Sequence, residues 1–258
     1  MRYGEKDRER DPDRERDRAK PTPYSKLANK LDATPRPGEH VLKHSWNVWF
    51  LHRSPGERVA EKEWETGLKV VAGFQTIETF WGTWCHLVRP SKIPIISDYH
   101  IFKSHIRPVW EDPSNASGGR WVLRLRKGLA DRYFEEIVLA LIGDSFFSSL
   151  PSATPESWDD DDKLEHAGGG QTGQYTDERG DGDDICGLVL SVRKDEDILT
   201  VWNRDASEAG KPRRDRLRHA IQCILRLPAN TQMQYKSNPQ AGAAGGGGGG
   251  HGQQASGH

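Results

Sequence analysis

Between Pro108 and Trp121 the chain reads PVWEDPSNASGGRW, setting an indole beside two carboxylates (Trp110, Glu111, Asp112) before returning to Arg120 and Trp121. A flat π surface next to a fixed carboxylate suits a planar ring that carries N–H donors and positive charge. Stacking, cation–π attraction and charge-assisted hydrogen bonds then favour a modified or cationic nucleobase. The same residues are equally compatible with a core indole beside a solvated turn charge. Trp64, Arg120, Trp202 and the Arg193-Lys194 pair lie far apart in sequence, yet each falls at an expected strand end or loop. An antiparallel sheet can carry such ends to one rim.

Catalytic constellations are missing from the sequence. It holds no GxSxG, HExxH or P-loop, and its histidines show no metal-ligand spacing. His100 and His105 are expected to do surface or structural work. Asp159–Asp162 reads as a solvated charge block, since a cation needs ordered ligands around it. Gly168-x-Gly170-x-x-Gly173 matches a dinucleotide fingerprint only in spelling, with no strand before it and no helix after. The expectation is a binding protein without enzyme activity, metal or cofactor.

A formal net charge of −1 gives no bulk attraction to polyanions, so any nucleic-acid role must come from a local site. Cys85, Cys186 and Cys223 form no CxxC pair, which points to a reduced, intracellular protein without a disulfide framework. The N-terminus is charged and no apolar run reaches membrane-spanning length, so a soluble, cytoplasmic protein without membrane contact is expected.

These candidates need elements to position them. Residues 1–39 interleave acidic and basic side chains and then prolines, and are expected to be disordered. Strands are predicted over Ser45–Leu51, Val70–Phe74, His100–Phe102, Trp121–Arg126, Ile185–Val192, Leu199–Trp202 and part of 229–236. Thr76 reads as the N-cap of a helix Ile77–Val88 stopped by Pro90, with Trp81 at the edge of its apolar arc. A second helix spans Asp131–Ile142, with Gly143 as its left-handed terminator, and a third spans Arg213–Arg226. Residues 148–184 are predicted to be a disordered insertion in a domain of 40–236, and 237–258 a disordered Gly-rich tail. The order is α+β, an antiparallel sheet with helices on one face.

At this point FxTIExFW, YxxFKxxIxPxWEDxxNxxGGRWxLxLxK, LxLIGxSF and CGxVxSVR, ending in Trp202, become recognisable. The chain resembles the eukaryotic translation initiation factor 4E family, the messenger-RNA cap-binding proteins, from about His40 to Tyr235 apart from the insertion. The run RLRKGLADR is similar to the 4E-homologous-protein branch (class II), although Trp46 and Trp64 stand where that branch often carries other aromatics. The resemblance implies a curved antiparallel sheet of about eight strands with three helices on its convex face. It implies that 7-methylguanine stacks between Trp64 and Trp110, that Glu111 reads the guanine edge, and that Trp202 meets the methyl group. Arg193, assisted by Arg120, would meet the triphosphate. Ile198 stands where members often have a second basic residue, and Lys194 is the substitute within reach in sequence.

The family also uses its convex face to hold scaffold or regulator proteins carrying a Tyr-x4-Leu-apolar helix. The matching positions are His40, Val41, Leu42, Ile77, Trp81, Glu136 and Leu139, with Val41 where the family usually has proline. Three readings follow: a cap-binding initiation factor, monomeric outside its complexes; a cap-binding repressor with other partners; and an interaction domain whose cap site has decayed.

Overall fold

The computed structural model describes residues 34–53, 67–147 and 184–239. Trp64, the interleaved N-terminal charges, the Asp159–Asp162 block, the Gly168 stretch and the Gly-rich tail lie outside them. Seven strands form one curved, wholly antiparallel sheet among the described residues, against the eight or so expected. They are β1 (Val41–His52), β2 (Lys69–Thr76), β3 (Ser97–Lys103), β4 (Gly119–Arg126), β5 (Ile185–Val192), β6 (Glu196–Asn203) and β7 (Met233–Ser237), in the order β2-β1-β3-β5-β6-β4-β7. The helices are α1 (Ile77–Trp84), a single turn α2 (Pro113–Ala116), α3 (Ala130–Ile142) and α4 (Lys211–Ile224).

Alternation sorts the strands onto two faces, because successive side chains point to opposite sides. Val48, Ile101, Leu188, Val201 and Trp121 form one row across five strands, and Phe50, Tyr99, Leu190, Leu199 and Leu123 the next. The long helices lie against these rows. α1 contributes Phe80, α3 contributes Phe134, Ile137 and Leu141, and α4 contributes Leu217 and Ile221, all buried in one cluster. Each such side chain contributes about 1.5–3 kcal/mol relative to exposure. The Trp121 indole N–H donates to the Arg214 carbonyl (3.0 Å), fixing α4 to β4.

Thr76 caps α1 as its sequence suggests. Its hydroxyl accepts from the Thr79 amide (3.1 Å), and Thr79 Oγ1 accepts from the Thr76 amide (3.0 Å), a reciprocal box closed by Thr where Glu is usual. α1 stops at Trp84 rather than Val88. The amides of His86 and Leu87 both turn back to the Thr83 carbonyl, and His86 Nδ1 lies 2.8 Å from the Gly82 carbonyl.

α3 ends as expected at Ile142, but Gly143 is not the left-handed residue. Asp144 takes that conformation (φ 51°), which a short polar side chain tolerates. Its carboxylate accepts from Lys43 Nζ at 2.8 Å. Past the expected boundary at 236, β7 continues through Ser237, and Asn238 is buried.

Candidate nucleic-acid interface

The face opposite the helices is ordered in rows by the same register. Asn47, Phe102, Gly187, Trp202 and Arg120 lie side by side across β1, β3, β5, β6 and β4. Trp49, His100, Val189, Thr200 and Val122 follow, then Leu51, Asp98, Ser191, Ile198 and Arg124. A Cβ on Gly187 would come 2.5 Å from the Ile101 carbonyl oxygen and from the Phe102 ring. Glycine there lets Phe102 and Trp202 meet edge to face, 5.6 Å between centroids. Phe102, Ile106, Cys186, Val189 and Trp202 form a second apolar cluster, and Trp110 packs onto it half-buried.

Trp110 and Glu111 ride on a locked loop. Asp112 caps α2, accepting from the Ser114 amide through Oδ1 (3.0 Å) and from the Arg107 amide through Oδ2 (3.0 Å). Pro113 occupies the first helical turn, where its missing N–H costs nothing. Asn115, wholly buried, donates to the carbonyls of Arg107 (2.9 Å) and Val109 (2.7 Å), while its own carbonyl accepts from Asn238 (2.7 Å). Cys186 donates to the Ser114 carbonyl (3.4 Å), and burial pushes its thiol up to about 12, so it packs as a neutral group. The loop therefore holds a partly exposed indole and an exposed carboxylate side by side over an apolar floor. The Trp202 indole N–H is buried with no hydrogen-bond partner among the described residues.

Arg120 lies over the Trp202 ring, 5.0 Å from its centroid, and donates to Asn238 Oδ1 (2.7 Å). Burial lowers its pKa, though a guanidinium stays charged throughout the working range. Arg193 sits at the other end of the face. Gly187 is level with Arg120, and six residues of strand separate it from Arg193, about 20 Å. So spaced, the two arginines are placed to flank an extended ligand. Arg193 Nη1 donates to the carbonyls of Ser97 and Val192, and Nη2 to Asp98 Oδ1 (2.7 Å). Lys194 is exposed in the adjoining turn.

His100 is buried in the middle of this face, and desolvation pulls its imidazole down to about 4. His105 is exposed, with Nε2 3.4 Å from Arg204 Nη2. Among the described residues no three His, Cys, Asp or Glu side chains gather as metal ligands would, and no helix is long and apolar enough to cross a membrane.

A different surface faces outward on the helical side. Ile77, Trp81 and Leu139 are 44%, 42% and 36% exposed, and Val41 is 65% exposed. His40 is tied to the start of α1: its amide donates to Glu78 Oε2 (3.0 Å), its Nδ1 pairs with Oε1 (2.7 Å), and its carbonyl accepts from Ile77. Leu42 packs on the core beside it. Glu136 accepts from Arg132 at Oε1, while Oε2 has no partner among the described residues. A hollow of ≈ 330 Å³ opens nearby, lined in part by Trp81, Trp84, Leu87, Val88, Asp131 and Glu135.

The family model described as Eukaryotic initiation factor 4E matches residues 41–247, well over half of the sequence. The chain belongs to that family. It is 38% identical over 199 residues to eukaryotic translation initiation factor NCBP of Oryza sativa subsp. japonica, covering 77% of this chain and 71% of that protein. It is 31% identical over 205 residues to eukaryotic translation initiation factor 4E-4 of Caenorhabditis elegans, covering 80% of each. Among solved structures, C. elegans eIF4E-3, in complex with the 4E-binding protein Mextli and cap analog, aligns with a TM-score of 0.60 at 28% identity, covering 80% of this chain and 96% of that one. Ascaris suum eIF4E-3 with m2,2,7G cap gives 0.59 at 28% identity over 77% and 91%.

Within this 4E frame, the residues that sequence reading missed are the positioning ones: Asn115, Asn238, Gly187 and Asp98. Asp112-Pro113 did carry a signal, an N-cap followed by proline at the first helical position, which marks a helix start rather than a plain turn.

Proposed function

We propose that the chain binds the 7-methylguanosine 5′ cap of messenger RNA and recruits translation-machinery partners through its convex helical face. The observation that carries this reading is the Trp110-Glu111 pair, held by Asp112 and Asn115 over the Phe102–Trp202 floor in a member of the 4E family. Methylation makes guanine cationic, which strengthens stacking on an indole. Trp110 and Trp64 sandwich the base, and Glu111 accepts its N1–H and exocyclic amine protons. Trp202 meets the methyl group, and Arg193, with Arg120 and Lys194 assisting, meets the triphosphate.

On the other face His40, Val41, Leu42, Ile77, Trp81, Glu136 and Leu139 receive the Tyr-x4-Leu-apolar helix of a scaffold or regulator. The exposed Ile77, Trp81 and Leu139 support that assignment. The work is binding rather than catalysis, carried out in the cytoplasm by a protein that is monomeric outside its complexes. The RLRKGLADR run favours the class II branch. Retention on immobilised 7-methyl-GTP tests the reading: free cap analogue should elute the protein and GTP should not. The co-retained proteins separate an initiation factor from a repressor, which would share the pocket and differ in partners.

A further inference from the structure

Arg53 follows the last residue of β1, and its amide donates to the Ile96 carbonyl (3.1 Å), while the Ile96 amide donates to the Val192 carbonyl (2.8 Å). Ile96 holds φ 63°, a conformation that a β-branched residue adopts only when its surroundings impose it. This kink ties the ends of β1 and β5 together, although β3 separates the two strands in the sheet. As a result two arginines converge on one carboxylate. Arg193 Nη2 lies 2.7 Å from Asp98 Oδ1, and Arg53 Nη2 lies 3.7 Å from Oδ2.

The Asp98 side chain is only 5% exposed, whereas Arg53 and Arg193 are 31% and 28% exposed. The carboxylate thus lies beneath two guanidinium groups that reach solvent, and the trio keeps a net positive charge. Arg193 spends three donor contacts on protein atoms, whereas the Arg53 guanidinium makes a single loose ion pair, to Asp98, among the described residues. Ile198 lies in the same row as Asp98, two strands over, about 10 Å away. The apolar residue therefore stands on one flank of Arg193 and a second cation on the other.

We propose that Arg53 is the second cation of the triphosphate site, with Asp98 as the positioning residue that holds it beside Arg193. This rests on the cap reading above. Two guanidinium groups anchored from below by one carboxylate present their outward N–H groups to phosphate oxygens, a geometry suited to an extended anion.

The test compares 7-methyl-GTP with 7-methyl-GMP by tryptophan fluorescence titration of the whole chain. The wild type prefers the triphosphate. Arg53→Gln and Arg53→Met, the latter keeping the apolar stem, should each narrow that preference about five- to tenfold at low salt and less at high salt. Arg53→Lys, which keeps the charge, should restore part of it. A structural tie between strands would lower both affinities together and leave their ratio unchanged, so an unchanged ratio in either neutral variant that folds overturns the proposal. A folded wild type that binds neither nucleotide contradicts the cap reading and takes this proposal with it.

Discussion

Asn115 contacts no ligand in the proposed complex, yet the placing of Trp110 and Glu111 depends on it. Its amide satisfies two carbonyls on the approach to the indole, and its backbone anchors Asn238 from the far end of the sheet. Removing that side chain leaves buried acceptors unpaired at about 1–3 kcal/mol each. Asn115→Ala is therefore expected to lose roughly 2–3 kcal/mol of stability in urea unfolding and also to weaken 7-methyl-GTP binding; an equally stable variant with wild-type affinity would refute the role. Trp110, Glu111 and Arg120 could be singled out as candidates from the sequence because they stand close in one stretch. Arg53 and Asp98 could not, since a lone arginine before a Pro-Gly turn reads as a loop charge. The register of β1 on β3, with Leu51 opposite Asp98, and the Arg53 amide on the Ile96 carbonyl bring the two near each other.

At the scale of elements, α1 shows how far periodicity reaches. Its apolar spacing and Thr76 cap placed the helix, and the burial of Phe80 beside an exposed Trp81 follows from the 100° step between neighbours. The early end at Trp84 was not legible, because the last turn tightens through the His86 amide on Thr83 and the Leu87 amide on Trp84. Likewise the left-handed turn after α3 falls on Asp144 rather than on Gly143, since a short polar side chain also tolerates that conformation. Since Trp81 is 42% exposed, truncating it should cost the fold little. Trp81→Ala is expected to keep its melting temperature and its 7-methyl-GTP affinity while losing a Tyr-x4-Leu-apolar peptide by at least about 2 kcal/mol. Calorimetric titration of the peptide beside a melting curve checks this. A variant that melts far lower and loses both ligands would make Trp81 a core residue instead.

For the whole molecule, sheet order and register convert scattered residues into two opposed surfaces. That order, β2-β1-β3-β5-β6-β4-β7, was beyond sequence pattern, which gives alternation but not neighbours. The register also buries His100 behind the proposed pocket. Desolvation lowers its folded pKa to about 4 from 6.5; the Asp98 charge opposes this and Arg193 adds to it. Between those values the unfolded chain binds the extra proton, so stability is complete above pH 6.5 and falls as pH drops toward 4, by about 3 kcal/mol in all. Urea unfolding at pH 7 and pH 4.5 should show a smaller pH difference in His100→Gln than in the wild type; an equal difference would place the acid sensitivity elsewhere. The central claim is that one face of this sheet reads 7-methylguanine. Its most direct measurement is a tryptophan fluorescence titration of the wild type and Glu111→Ala with 7-methyl-GTP and with GTP. The wild type should clearly prefer the methylated nucleotide, and Glu111→Ala, still folded, should lose about 1–3 kcal/mol of binding. Equal affinity for the two nucleotides, or unchanged affinity in Glu111→Ala, would contradict it.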